Sequence, residues 1–278
     1  MRTRGGNSLL PRLARDGYVA LAAAFMALRL LGVKPWDQSV DAYAYWSTAH
    51  GPMYGQGAGA MGAYVYSPAF AQILTPVTIL PWPAFATLWT GLNFAVLWWL
   101  LGRWSLPSML FLPIPFEIIS GNVHLLYAAA IVLGFRTAAP WALMLLTKVA
   151  PGVGVLWFAV RREWRALSLA LGVTAVLAAA SYVLDASAWR AWLDILQTSS
   201  STPATVGWFL PVPLLVRLPI GVVLVAAAAA LDRRWLLPFA LVVVMPVVWV
   251  NTLAVLAAVP PLWAAEGRAR AALAVAPS

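Results

Sequence analysis

Apolar stretches long enough to cross a lipid bilayer recur along this chain, and they constrain its fold more than any other feature. Residues 82–101, 166–184 and 208–231 are the clearest, each close to the roughly 20 apolar residues that a membrane-spanning helix needs. A bilayer core offers no water to unpaired backbone groups, so such segments fold as helices. The chain therefore reads as all-α, a polytopic integral membrane helix bundle. Of its 278 residues 63% are hydrophobic and 10% charged, which leaves room for about eight to ten membrane segments. No separate soluble catalytic domain fits beside them, and residues 1–278 read as a single integral-membrane domain.

The 18 basic residues outnumber the 9 acidic ones, yet they are scattered at segment ends and form no stripe, which argues against nucleic acid as a partner. Topology accounts for them better. Cytoplasmic loops collect Lys and Arg, so Arg2, Arg4, Arg12 and Arg15 put the N-terminus inside. Arg103, Arg136, the Arg161/Arg162/Arg165 group and Arg233/Arg234 mark further inside loops. The expected location is the plasma membrane, crossed several times, with membrane lipids as constant partners. The chain has no cysteine and two histidines, which removes thiolate chemistry and leaves no ligand cluster that calls for a metal.

A first span over residues 17–33 follows the basic start and reads as a retained anchor, since no small-residue cleavage site stands out after it. Residues 34–67 form the longest polar, Gly- and Tyr-rich stretch. By parity this first outer loop lies outside, and its run WDQSVDAYAYWSTAHG predicts a short helix at the interface, where Trp and Tyr are favoured. Residues 68–80 are apolar but short for a span. Two short apolar segments, 106–120 and 123–135, meet at Gly121-Asn122. Between Arg136 and Arg161 an apolar stretch is interrupted by TKVAP. Two half-depth helices meeting at Lys148 would keep both flanking basic loops inside, because irregular backbone is tolerated within a membrane where it lines protein or a cavity. Residues 185–207 form a second outer loop, and 235–263 read as one long segment or a pair broken near Pro246.

Ionisable residues in or against a membrane are functional candidates by default. Asp37, Asp41 and His50 of the first outer loop, Glu117 and His124 around Gly121-Asn122, Lys148 at the break and Arg217 within 208–231 could border one outward-facing cavity. Asp37 and Asp41 are four apart and share a helix face, where two like charges repel. One of them then has work to do, and a carboxylate at a cavity can take a proton from an attacking hydroxyl. Asp37 also suits the N-cap of the helix carrying Asp41. Lys148 and Arg217 offer donors for an anionic group such as a lipid phosphate, or else snorkel to the interface. Glu117 reads equally as the partner of a basic neighbour, and His124 as a buried, hydrogen-bonded imidazole.

The segments VDAYAYW, YVYSPAFA, GNVHLLYAAAIVLGFR and LLTKVAPGVGVLWFAVRREWRAL, in this order, resemble the polyprenyl-phosphate-mannose-dependent mannosyltransferases of the GT-C superfamily, the PimE-like family. The resemblance rests on Asp41 before Tyr43, on Tyr66-Ser67-Pro68 as a Tyr-Pro-Pro-like motif, on the turn at Gly121-Asn122, on Lys148 with Pro151, and on the basic loop from Arg161 to Arg165. It implies a GT-C-type bundle whose active site faces outside and moves a hexose, most often mannose, from a polyprenyl phosphate to a lipid, glycan or protein acceptor. Asp41 would be the base, with Asp37 next in line; Tyr43, Tyr66, Asn122, His124, Lys148 and Arg217 would bind substrate. The donor is a lipid-linked sugar, and no cofactor is implied. Ser67 departs from the family pattern, as does His124 where the family often has Asn, and PVVWVNTL carries Asn251 where it tends to have His. Two other readings stay open: a transporter or flippase for an anionic lipid or glycolipid, and an inactive lipid-binding membrane protein.

Overall fold

The computed structural model describes residues 9–32, 39–56, 62–201 and 212–275. Among these residues the chain is helical, without strands, as the apolar runs require. Helix α1 (Leu9–Leu30) is followed by a short helix, α2 (Val40–Ser47). Next come α3 (Pro68–Thr78), α4 (Trp82–Leu101), a short turn α5 (Ser105–Ser108), α6 (Pro113–Ser120) and α7 (His124–Gly134). The second half contains α8 (Trp141–Thr147), α9 (Leu156–Val160), α10 (Trp164–Leu184), α11 (Ala186–Ser201), α12 (Leu214–Ala230), α13 (Leu237–Val243) and α14 (Val259–Val275). Tighter 3₁₀ turns fill Ala150–Val155 and Val250–Ala258.

Among the described residues two segments, Trp82–Ser108 and Trp164–Leu184, are long and apolar enough to cross a membrane, and a third forms if α6 and α7 count as one span. The other apolar segments are shorter, because prolines and glycines break them. Pro68 and Pro113 open α3 and α6, where the missing N–H is harmless. Gly121 closes α6 in the left-handed region at φ 69°, and the chain turns through 109° into α7. The interruption expected at TKVAP is present: α8 ends at Lys148, whose backbone is extended, before the 3₁₀ turn that carries Pro151. Of the two alternatives for residues 235–263, the chain takes the broken one. Helix α13 stops at Val243, Pro246 lies in the gap, and the 3₁₀ turn Val250–Ala258 follows.

Helix α1 packs along α4, with the Tyr18 hydroxyl donating to the Phe94 carbonyl at 2.6 Å. The 3₁₀ turn Val250–Ala258 sits against both α6 and α7, inside their bend. Helix α11 supplies structure where only a polar loop was expected. Asp185 starts it by accepting from the Ser187 hydroxyl at 2.6 Å and the Ala188 N–H at 2.9 Å, bonds that hold its carboxyl below the usual range. Trp192 of α11 donates to the Val65 carbonyl at 3.2 Å, tying α11 to the segment before α3.

The basic loops gather at one end. Arg161 bonds the Ala229 carbonyl at 3.2 Å and Asp232 at 3.0 Å, and the Arg234 guanidinium lies 5.0 Å from the centre of the Phe135 ring. Loops read as cytoplasmic from charge alone are therefore neighbours in space.

Arg217 does something other than meet a ligand. Buried on α12, it donates from Nε to the Val212 carbonyl at 2.7 Å, from Nη1 to Val243 and Met245 at 2.7 Å each, and from Nη2 to Pro246 at 3.0 Å. These bonds use most of the guanidinium's donors on carbonyls freed where α13 breaks. Arg217→Leu is expected to destabilise the protein by about 2–4 kcal/mol, since several buried carbonyls lose their partner at once. Thermal unfolding in detergent should show a Tm lower by several degrees, and an unaltered Tm would mean that these carbonyls do not depend on Arg217.

Candidate active site

Four elements converge on the bend between α6 and α7: α2, the Tyr66-Ser67 corner before α3, the break after α8 and the 3₁₀ turn beginning near Asn251. Close approach is possible because residue 121 is Gly. A β-carbon built there would lie 2.6 Å from Cβ of Ala42, the neighbour of Asp41. The Gly121 carbonyl accepts from the Trp89 indole N–H of α4 at 2.7 Å, which fixes the turn.

Asn122 is the hub. Its Oδ1 accepts the Val123 N–H at 2.8 Å, and the Tyr45 and Tyr66 hydroxyls each lie 3.4 Å from the same oxygen and 3.2 Å from one another. With donors collected at the oxygen, the amide nitrogen remains on the side chain, and Asn122 favours the ionised form of the Asp41 carboxyl. Asp41 is partly buried. Burial pushes its carboxyl above the usual carboxylate range, while the Lys148 ammonium pulls in the opposite direction.

The two carboxylates of the cluster have different environments. Glu117 is 0% exposed and fully occupied. Its Oε1 accepts the N–H groups of His124 at 2.5 Å and Leu125 at 3.4 Å; its Oε2 is 2.9 Å from His124 Nδ1 and 3.1 Å from the Asn251 amide nitrogen. It thereby caps the N-terminus of α7, where negative charge is favoured. Asp41 is less enclosed, since as a residue it is only partly buried. When two carboxylates share a site, the one already saturated by donors is structural and the less committed one is available for proton transfer.

Lys148 reaches into the cluster from the end of α8. Its Nζ lies 3.3 Å from His124 Nε2 and 5.5 Å from the centre of the Tyr66 ring. The Ser67 hydroxyl donates to the Leu146 carbonyl in the last turn of α8, so the corner after Tyr66 anchors the segment that carries Lys148.

Asp41, Glu117, Asn122, His124, Tyr66 and Lys148 are thus brought together. Arg217 is not, since its guanidinium is spent on backbone carbonyls. Tyr43 points elsewhere: at about 100° per residue it lies roughly opposite Asp41 on α2, and its ring packs 5.3 Å from Trp46 and 5.1 Å from Trp82. His50 is exposed and stacks on Trp46 at 3.8 Å. Asp37 lies outside the described residues; the N-cap position expected of it is held by Ser39. Sequence reading passes over Tyr45, although its spacing of four from Asp41 signals the shared helix face. Among the described residues no group of three or more His, Asp or Glu side chains is placed to hold a metal ion.

The sequence model of glycosyltransferase family 87 matches residues 64–277. The match includes Tyr66, Glu117, Asn122, His124, Lys148 and Asn251 and begins after α2. No curated protein and no solved structure matches the chain.

Proposed function

Because the chain belongs to glycosyltransferase family 87, a GT-C-like family of membrane glycosyltransferases, we propose that it moves a hexose, mannose first, from a polyprenyl phosphate to an extracytoplasmic lipid, glycan or protein acceptor. Asp41 is the general base. The observation that carries this reading is the division of labour at the bend: one carboxylate is saturated by donors, while the other is only partly buried and lies within the field of the Lys148 ammonium.

Asp41 accepts the proton of the acceptor hydroxyl as that oxygen attacks the anomeric carbon. The bond from the anomeric carbon to the phosphate oxygen breaks, and its electron pair leaves with the polyprenyl phosphate. Lys148 meets the growing phosphate charge, a type of stabilisation that is usually the largest catalytic contribution. Attack opposite the leaving phosphate inverts the anomeric centre. The sugar arrives already activated on its lipid, so the scheme calls on no cofactor.

The outward orientation is supported by the position of the cluster on α7. Its first residue, His124, belongs to the cluster, and just past its last, Gly134, Phe135 meets Arg234. The helix is about 16 Å long at 1.5 Å per residue, so the cluster and the basic loops lie at opposite ends of it. With the basic end cytoplasmic, the cluster opens toward the outside, where a lipid-linked donor presents its sugar.

The test is sugar transfer by the full chain in nanodiscs, given a membrane lipid extract and mannose carried either on a polyprenyl phosphate or on a nucleotide. Label is expected to move from the lipid donor alone. Transfer from the nucleotide, or from neither donor, would overturn the proposal. Lys148→Ala should raise the donor KM about tenfold or more, the size of a lost charge-assisted contact, and Lys148→Arg should raise it less. Equal effects in both variants would remove Lys148 from the phosphate site.

A further inference from the structure

We propose that His124 is a positioning residue: its Nε2 lone pair holds the Lys148 ammonium in place for the donor phosphate, and Glu117 and Asn251 hold the ring that does so. This inference rests on Lys148 being the group that meets the phosphate.

The direction of each hydrogen bond follows from chemistry. Two backbone N–H groups and the Asn251 amide already point at the Glu117 carboxylate, which as an anion can only accept. His124 Nδ1, 2.9 Å from Oε2, must therefore carry a hydrogen. Lys148 Nζ has only hydrogens to offer, so Nε2, 3.3 Å away, must be bare. The imidazole is neutral, donating at one nitrogen and accepting at the other, a tautomer imposed from both sides. His124 is 1% exposed, so it has no surface for substrate, and its contribution passes through the lysine.

A lysine stem has four carbons of freedom and a strongly hydrated charge. Left alone in this cluster, the Lys148 ammonium would settle on Asp41, the other group whose charge acts on it most, and so silence the base and withdraw from the phosphate. The Nε2 lone pair gives it a neutral alternative. Asn251 extends the line to the C-terminal segment, since its amide also donates to the Ser120 hydroxyl at 3.0 Å. The 3₁₀ turn at Val250–Ala258 is thereby connected to the ammonium through two side chains.

The experiment is a double-mutant cycle in the full chain in nanodiscs, with polyprenyl-phosphate mannose as donor. His124→Phe is expected to raise the donor KM about tenfold, as loss of a hydrogen bond to a charged group does. It should have no further effect in a Lys148→Met background, because the two residues act as one unit. His124→Gln, whose carbonyl can replace the Nε2 acceptor, should recover part of the loss. Equal losses in both backgrounds would show a merely structural histidine and overturn the proposal. If the wild type transfers no sugar, the functional reading has failed and a second measurement decides the inference alone. An amine-acylating reagent, followed by mass spectrometry, is expected to modify Lys148 several-fold faster in His124→Phe than in wild type, with Lys34 as the internal reference. An unchanged ratio would overturn the proposal regardless of activity.

Discussion

Asp41→Asn is expected to lower sugar transfer by about 10²- to 10⁴-fold, the usual worth of a positioned general base. Donor binding should persist, since the substitution keeps the side chain's shape. The measurement is initial rate against donor concentration, with the loss confined to kcat. Full activity in a well-folded Asp41→Asn protein would dismiss Asp41 and leave Asp37 as the next carboxylate of that loop. The pH profile offers a second check. Burial raises the Asp41 carboxyl above the usual carboxylate range, and a base works only when ionised, so activity should rise with pH through a value above that range. Stability carries the opposite sign. The folded state binds this proton more tightly than the unfolded chain does, so the contribution of Asp41 falls as pH climbs from the ordinary carboxylate range through the raised value. An acid limb at the ordinary carboxylate position would mean that the observed base is more exposed than Asp41.

Gly121→Ala should be strongly damaging although it removes no chemical group. Residue 121 has φ 69°, which strains an L side chain, and an added β-carbon would meet Cβ of Ala42 at 2.6 Å. Left-handed strain costs about 1–3 kcal/mol, and overpacking typically adds about 1–3 kcal/mol. The cheapest relief is for α2 to move away, taking Asp41 with it, and a displacement of about 1 Å can cost 10²-fold in rate. Thermal unfolding and transfer should therefore both fall. Gly172→Ala provides the contrast. Gly172 lies within α10 (Trp164–Leu184) with no atom within 4 Å of its added β-carbon, so alanine there should be neutral or stabilising by up to about 1 kcal/mol. Equal damage at both glycines would mean that the tight approach of α2 to the bend is unimportant.

Some of the site is legible in the amino-acid sequence. An ionisable residue in an apolar setting is a candidate because burying its charge is costly, and that reasoning singles out Asp41, Glu117, His124 and Lys148. It cannot separate their roles. Whether a carboxylate is spent on structure depends on how many N–H groups surround it, and those around Glu117 come partly from the next helix and partly from Asn251, far along the chain. Arg217 satisfies the same criterion as Lys148. Its guanidinium instead ends on carbonyls that exist only because α13 stops short of Pro246. Tyr43 and Tyr45 differ by helical phase alone. The phase becomes informative only once a real helix over Val40–Ser47 has turned one of its faces to Gly121.

The one-dimensional pattern determined the all-helical class and the positions of the breaks at Gly121 and Lys148, marked the basic loops, and left the break near Pro246 as one of two alternatives. These depend on transfer free energies, on backbone preferences of Gly and Pro, and on the charge asymmetry of membranes, all of which are local properties of the chain. The tertiary structure decided which of these charged side chains is saturated by hydrogen bonds and which is not. Hydrogen bonds are short-ranged and directional, so those roles are set by the neighbours that folding supplies, and the neighbours of Glu117, Lys148 and Arg217 lie on other segments of the chain.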